Sequence, residues 1–454
     1  MTMDPLPGPA LRRAIGPRLL FFFVLGDVLG TGIYALIGSV AGQIGGALWL
    51  PFLAAFGVAL ITALSYLELV GKYPRAAGAA LYTQRAFRTP FLTFLVAFAV
   101  MSSGLTSAAA AAWAFGASYL KAFVQWPTVP VAVGFLLALG IINFRGVAES
   151  VKANVVLTAV ELGGLLIVVA IGAYAVASGA GDPHRLLDIR PSEGGLWLSV
   201  TAATSLAFFA MVGFEDSVNM VEECREPERI FPRALLLGLA AAALLYGLVG
   251  FTASLLLPAE VLAAAKSDAL LQVVAQGAPG FPRQVFAAIG LLAVVNSALI
   301  NLLMASRLLY GMANEGILPK SFGAVHPSRR TPWVAILFTT ALAVGLVATA
   351  GEDGVKKLGG TTALLLLAVF TGVNLACLVL RREPVGHRHF RAPTWTPALG
   401  AACCAYLALP GLSGRPAEDY GIALTLLGLG VLLWLLNRRW LGRRAGMLEG
   451  RESR

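Results

Sequence analysis

Runs of about twenty apolar residues recur along the whole 454-residue chain, and no other feature restricts its fold so strongly. An α-helix rises about 1.5 Å per residue, so about twenty residues cross a hydrocarbon layer about 30 Å thick. Cutting at charged and Pro/Gly-rich breaks gives twelve runs: 19–45, 48–71, 90–120, 128–143, 152–178, 196–219, 232–257, 284–310, 332–350, 360–380, 396–412 and 419–437. Hydrophobic residues make up 58% of the chain and charged ones 13%, more apolar surface than a soluble domain of this length can hide. The expectation is an all-α polytopic membrane protein with twelve transmembrane helices in a lipid bilayer.

Assigning lysines and arginines alternately to the two sides puts 26 of the 34 on the side of the N-terminus. The positive-inside rule then predicts cytoplasmic termini, 1–18 and 438–454, and an even number of helices in the cell membrane. The net charge of +10 follows from this topology, and its spread over seven short segments argues against a nucleic-acid partner. Arg12, Arg13 and Arg18 before FFFVLG resemble the start of a signal peptide. Asp27 interrupts that pattern and the apolar run continues without a small-residue cleavage site, so a retained first helix is expected. Cys224, Cys377, Cys403 and Cys404 have neither disulfide-framework nor metal-ligand spacing; the adjacent Cys403 and Cys404 read as small core residues. His184, His326, His387 and His389 all fall between the runs, so the sequence offers no metal site, cofactor site or catalytic cluster for a membrane-embedded enzyme. No repeated filter sequence or acidic ring points to a channel.

The first run contains GDVLGTGIYALIG, residues 26–38, with Asp27 followed by three glycines within nine residues. Each glycine costs about 1 kcal/mol of helix propensity relative to alanine, and an aspartate in hydrocarbon costs more. The sixth run contains a second such place, where Gly213 is followed by Glu215 and Asp216. One Gly-x-Gly also serves as a close helix-packing surface. Two interruptions, each with acids beside it and five runs apart, point instead to a transporter built from two inverted five-helix repeats with unwound backbone on a cavity. At such a break the next half-helix offers free N–H groups to a carboxylate, the preceding half offers carbonyls to an ammonium, and glycine admits the ligand to the backbone. That is a site for the two ends of an α-amino acid.

Several stretches, in order, resemble the amino acid–polyamine–organocation permeases: GTGIYALIG, ELVGKYPRAAGAALYTQRAF, NFRGVAESVKANVVLTAVELGGLL, FFAMVGFEDSVNMVEECREPERIFPRAL, SRLLYGMANEGILPKSFGAVHPSRRTP and FRAP at 390–393. The resemblance covers most of residues 20–400. It implies repeats at 19–178 and 196–380, two further helices at 396–437, and a substrate site between helices 1, 3, 6, 8 and 10. Carried over by motif, Gly30, Thr31 and Gly32, with Ile33 following, would take the substrate carboxylate. Carbonyls from Ala210 to Gly213 would take the amine, and Phe209, next to Phe208, would cap the substrate. Without the resemblance, Phe209 reads as an ordinary apolar aromatic.

Some proton-coupled members carry a lysine midway in helix 5, where this chain has Glu161, so the lysine mechanism does not transfer. A carboxylate in hydrocarbon either holds a proton or finds a partner. Glu161 is thus the first proton-carrier candidate, with a structural hydrogen bond as the alternative. Asp27, one turn before the first break, and Glu215 are the others. Glu68 and Glu149, beside Lys72 and Lys152 near run ends, read as interfacial anchors, and residues 222–233 as a solvated cytoplasmic loop or half-turn at the inner gate. The third run has Ser102, Ser103 and Thr106 but no acid, which favours a neutral over a cationic side chain; Glu215 or Asp216 would supply the missing charge. Proton-coupled uptake of a neutral amino acid, exchange, and transport of cationic amino acids or polyamines all remain open.

Overall fold

The structure, a computed structural model, describes residues 15–75, 78–146, 151–191, 194–351 and 353–452. Among these, eleven helices are long and apolar enough to cross a membrane. In chain order they are spans 1 to 10, Pro17–Ile44, Trp49–Lys72, Pro90–Ala122, Thr128–Arg145, Val155–Ser178, Leu196–Glu223, Pro227–Leu256, Arg283–Asn314, Trp333–Ala350 and Gly354–Leu380, and span 12, Ala417–Arg439. Span 11, Thr396–Ala408, has 13 residues, about 20 Å, and falls short of the twelfth full crossing that the sequence predicts. Pro410 ends it: proline lacks the N–H and forces the residue before it out of the helix, and Leu409 is extended at ψ 137°. Leu237, Leu244 and Leu248 recur at helical spacing on span 7 and are exposed, as a lipid-facing stripe requires.

Residues 227–233 are not a loop. Span 7 begins at Pro227, where proline's missing N–H would have had no partner anyway. Glu149 lies outside the described residues, as do Arg12 and Arg13.

Spans 1 and 6 both break. Span 1 is Pro17–Val28 followed by Thr31–Ile44, with Leu29 and Gly30 between. In span 6 the helix Leu196–Ala207 tightens into the turn Phe208–Met211, then Val212 runs extended and Gly213 takes φ +121°, before a tight helix over Asp216–Glu223. That φ is where glycine alone is at ease. The breaks touch: a Cβ on Gly213 would lie 2.6 Å from the Asp27 carbonyl oxygen, and one on Gly32 would lie 2.4 Å from Ala210 Cα. Beyond the breaks the Ile15 N–H donates to the Glu223 carbonyl and the Arg225 N–H to the Ile15 carbonyl, both at 3.0 Å. The two interrupted helices are thereby joined on the face where span 1 begins.

Candidate functional site

A cavity lies where the two breaks face spans 3, 8 and 10. Gly30, Thr31 and Gly32 form one wall. No side chain caps the helix that starts at Thr31, and Thr31 Oγ1, on a residue 1% exposed, has no hydrogen-bond partner among the described residues. An uncapped helix start with a buried hydroxyl free to donate is a surface for an anion. The two glycines differ. A Cβ on Gly30 would meet the Ser297 hydroxyl of span 8 at 2.9 Å, whereas Gly32 is crowded by span-6 backbone. Ligand approach is the reason the sequence pattern offers for glycine at position 32; helix packing is a second and sterically tighter one. Ile33 is fully buried beside this wall and does not line the cavity.

The facing wall carries Phe209, Val212, Gly213, Glu215 and Asp216. Glu215 Oε2 accepts the Gly213 N–H at 2.9 Å, so this carboxylate holds the shape of the break. The Gly213 carbonyl, one of those expected to receive an amine, already accepts the Asp216 N–H at 3.0 Å. Phe209 lies against Gly359 at the start of span 10, where a Cβ would come within 3.1 Å of its ring. Its neighbour Phe208 turns away to Phe370, ring centroids 6.0 Å apart, and Ala210 packs on Gly32; neither lines the cavity.

The remaining walls hold Ser103, which the sequence marks, and several residues that it does not. Ser103, Gly104 and Ser107 come from span 3, Ser297 and Asn301 from span 8, and Thr362 from span 10. Of the span-3 hydroxyls Ser102, Ser103 and Thr106, only Ser103 lines the cavity; Ser102 is buried behind it. Thr106 bonds Thr362 Oγ1 at 2.7 Å and so clips span 3 to span 10. Asn301 donates to the Ser297 carbonyl at 2.9 Å, which fixes its amide beside the cavity. Amides in a spanning helix are costly and were the one signal in the sequence that could have marked span 8. Asp27 also lines the cavity, so three acids, Asp27, Glu215 and Asp216, face it although span 3 supplies none.

Glu161 sits one layer behind. It is fully buried, its Oε1 accepts from Asn296 Nδ2 at 3.1 Å, and its Oε2 has no partner among the described residues. Tyr34, on the second half of span 1, donates to the Glu161 carbonyl at 2.5 Å. Asn296 and Ser297 are adjacent on span 8, the first bonded to Glu161 and the second against Gly30.

Glu68 is not an interfacial anchor. It is buried at the end of span 2 and clasped by Arg381 through two bonds of 2.7 and 2.6 Å, and it also accepts the Ala392 N–H at 2.9 Å. Lys72 turns instead to the carbonyls of Leu380 and Glu383. This fork–fork pair bolts span 2 to span 10 and to the FRAP segment.

A family model described as amino acid permease matches residues 15–432. The chain belongs to the amino acid permease family. The permease is therefore a multi-pass membrane transporter of a small molecule and not an enzyme. It is 24% identical over 428 residues to the branched-chain amino acid permease BcaP of Bacillus subtilis, covering 88% of each chain. It is 29% identical over 431 residues to the methylthioribose transporter of the same organism, covering 89% of the permease and 90% of that protein. It is 27% identical over 448 residues to cationic amino acid transporter 4 of Mus musculus, covering 92% of the permease and 65% of that protein.

Proposed function

We propose that the permease carries a neutral α-amino acid into the cell by alternating access, driven by a proton gradient. One observation carries this reading: the uncapped start of the helix at Thr31, with the unpartnered Thr31 hydroxyl, faces the break of span 6 across a common cavity. The α-carboxylate binds at Gly30, Thr31 and Gly32, the amine binds toward the span-6 break, and Phe209 covers the side chain. Spans 1–5 and 6–10 act as the two inverted repeats, 19–178 and 196–380, with 396–437 packed outside them and both termini in the cytoplasm. Glu161 carries the coupling proton. Its route to the substrate is short, because Asn296 bonds it while the neighbouring Ser297 touches Gly30. Protonation of Glu161 and occupancy at Gly30 then act on the same turn of span 8.

A second reading, transport or exchange of cationic amino acids or amines, is favoured by Asp27, Glu215 and Asp216 on the cavity wall. The cationic amino acid transporter and the methylthioribose transporter among the relatives mark how widely such a scaffold varies its cargo. Competition for labelled substrate by neutral amino acids, lysine, arginine and putrescine in proteoliposomes separates the two. Neutral compounds competing best supports the first reading; cationic ones alone competing overturns it.

A further inference from the structure

Arg415 lies in the turn between spans 11 and 12, yet its side chain is only 1% exposed. Its guanidinium donates to Asp419 in the first turn of span 12 at 3.1 Å, to the Gly360 carbonyl of span 10 at 2.6 Å, to the Ser205 carbonyl of span 6 at 3.2 Å and to the Leu407 carbonyl of span 11 at 3.4 Å. Asp419 approaches so closely that a Cβ on Gly360 would lie 2.5 Å from its carboxylate. A buried guanidinium is tolerated only when its donors are largely met and its charge is paired; here each of its three nitrogens donates and Asp419 pairs the charge. Nearer the surface, Lys357 and Glu418 repeat the tie between spans 10 and 12 at 3.0 Å.

The place of this cluster suggests its purpose. Span 1 ends, span 6 begins and span 10 begins on the face opposite Pro17. On that far face a small cleft is lined by Gln43, Ser205 and Leu206, by Lys356, and by Arg415 and Asp419. Ser205 Oγ, on a residue 1% exposed, has no hydrogen-bond partner among the described residues. The cleft thus joins three of the five spans that wall the substrate cavity, but on its far side. Ser205 is one turn before Phe209, and Gly360 follows the Gly359 on which the Phe209 ring rests. The substrate cavity itself reaches toward the near face, to Val100 on span 3 and Leu308 on span 8.

We propose that Arg415 is the latch of the far gate: it ties the first half of span 6 to the start of span 10 over Phe209 and holds the permease closed toward the face opposite Pro17. The proposal rests on the alternating-access reading. Opening to that face separates span 6 from span 10, so Arg415 can no longer hold the Ser205 and Gly360 carbonyls at once. Arg415 touches no substrate; it acts by positioning the backbone on either side of Phe209.

The test is accessibility from the far face. Ser107→Cys places a single reporter on the cavity wall in protein whose four native cysteines are replaced. A membrane-impermeant thiol reagent is then applied from the far face of oriented proteoliposomes. Arg415→Met is expected to raise the labelling rate by about tenfold or more, since the closed state loses bonds that the open state never had. Arg415→Met leaves Asp419 buried without its cation, so the companion variant Arg415→Met/Asp419→Leu removes both charges at similar volume. It is expected to fold and to label as fast. Labelling of the folded double variant at the parental rate overturns the latch, and so does failure of the double variant to yield monodisperse protein, which would make the pair a folding element. The readout needs no transported substrate, so it fails or succeeds independently of the amino acid assignment, which competition measures.

Discussion

In Thr31→Val a methyl group replaces the hydroxyl that faces the cavity from the first turn of the second half of span 1. The two side chains have nearly the same shape, so helix geometry and packing are preserved. Thr31 Oγ1 has no partner among the described residues, so the substrate-free permease loses no hydrogen bond seen there, and removal of a buried unmet hydroxyl is neutral or slightly stabilising. The bound state differs. A hydrogen bond to a charged carboxylate is worth about 1.5–3 kcal/mol, and about 1.4 kcal/mol is tenfold in an equilibrium constant, so Kd should rise by about 10- to 150-fold. The assay is equilibrium binding of labelled substrate to purified protein, with the melting temperature measured on the same preparations. Weaker binding with an unchanged or higher Tm is the expected pair of results. A Kd within twofold of the parent refutes the carboxylate assignment, and a Tm several degrees lower refutes the claim that Oγ1 is unpartnered.

Three further outcomes follow from the same geometry. Glu161→Gln keeps an acceptor for Asn296 but cannot release a proton, so gradient-driven accumulation should collapse while gradient-independent exchange survives; wild-type pH dependence of uptake would reduce Glu161 to a structural role. Gly32→Ala drives a Cβ into the Ala210 backbone and should destabilise the protein by about 1–3 kcal/mol, read as a lower Tm without substrate; an unchanged Tm would leave ligand approach as the sole reason for glycine there. Asp216→Asn should leave neutral substrates within about threefold in Kd and affect only cationic competitors, because a neutral side chain gains little from a charge it does not pair with.

The breaks were legible because they are expensive: glycines and acids inside an apolar run violate local propensity, and Gly30, Thr31, Gly213 and Glu215 all reach the cavity. Phe209 was visible only through resemblance, since nothing local separates it from Phe208, which faces the core. Ser107, Ser297 and Thr362 were not legible because their role depends on which face of spans 3, 8 and 10 turns inward, and helices apolar all round carry no such mark; Asn301 alone carried one, as an amide in a spanning helix. Pairing was the hardest to read. Lys72, one turn after Glu68, looked like its natural partner, but the cation that clasps Glu68 is Arg381, 313 residues away. The short span 11 was overextended because apolar composition continues past Ala408 while Pro410 ends the helix.

In the proposed mechanism the cavity between the two breaks holds an α-amino acid by its carboxylate and moves it with a proton. Uptake into proteoliposomes tests it most directly, with a panel of labelled amino acids, a pH gradient imposed in either direction, and competition by analogues that lack the α-carboxylate. At least one neutral amino acid is expected to accumulate above its external concentration only under an inward proton gradient, and decarboxylated analogues are expected not to compete. Accumulation independent of the gradient, or equal competition by an analogue without the carboxylate, would contradict it.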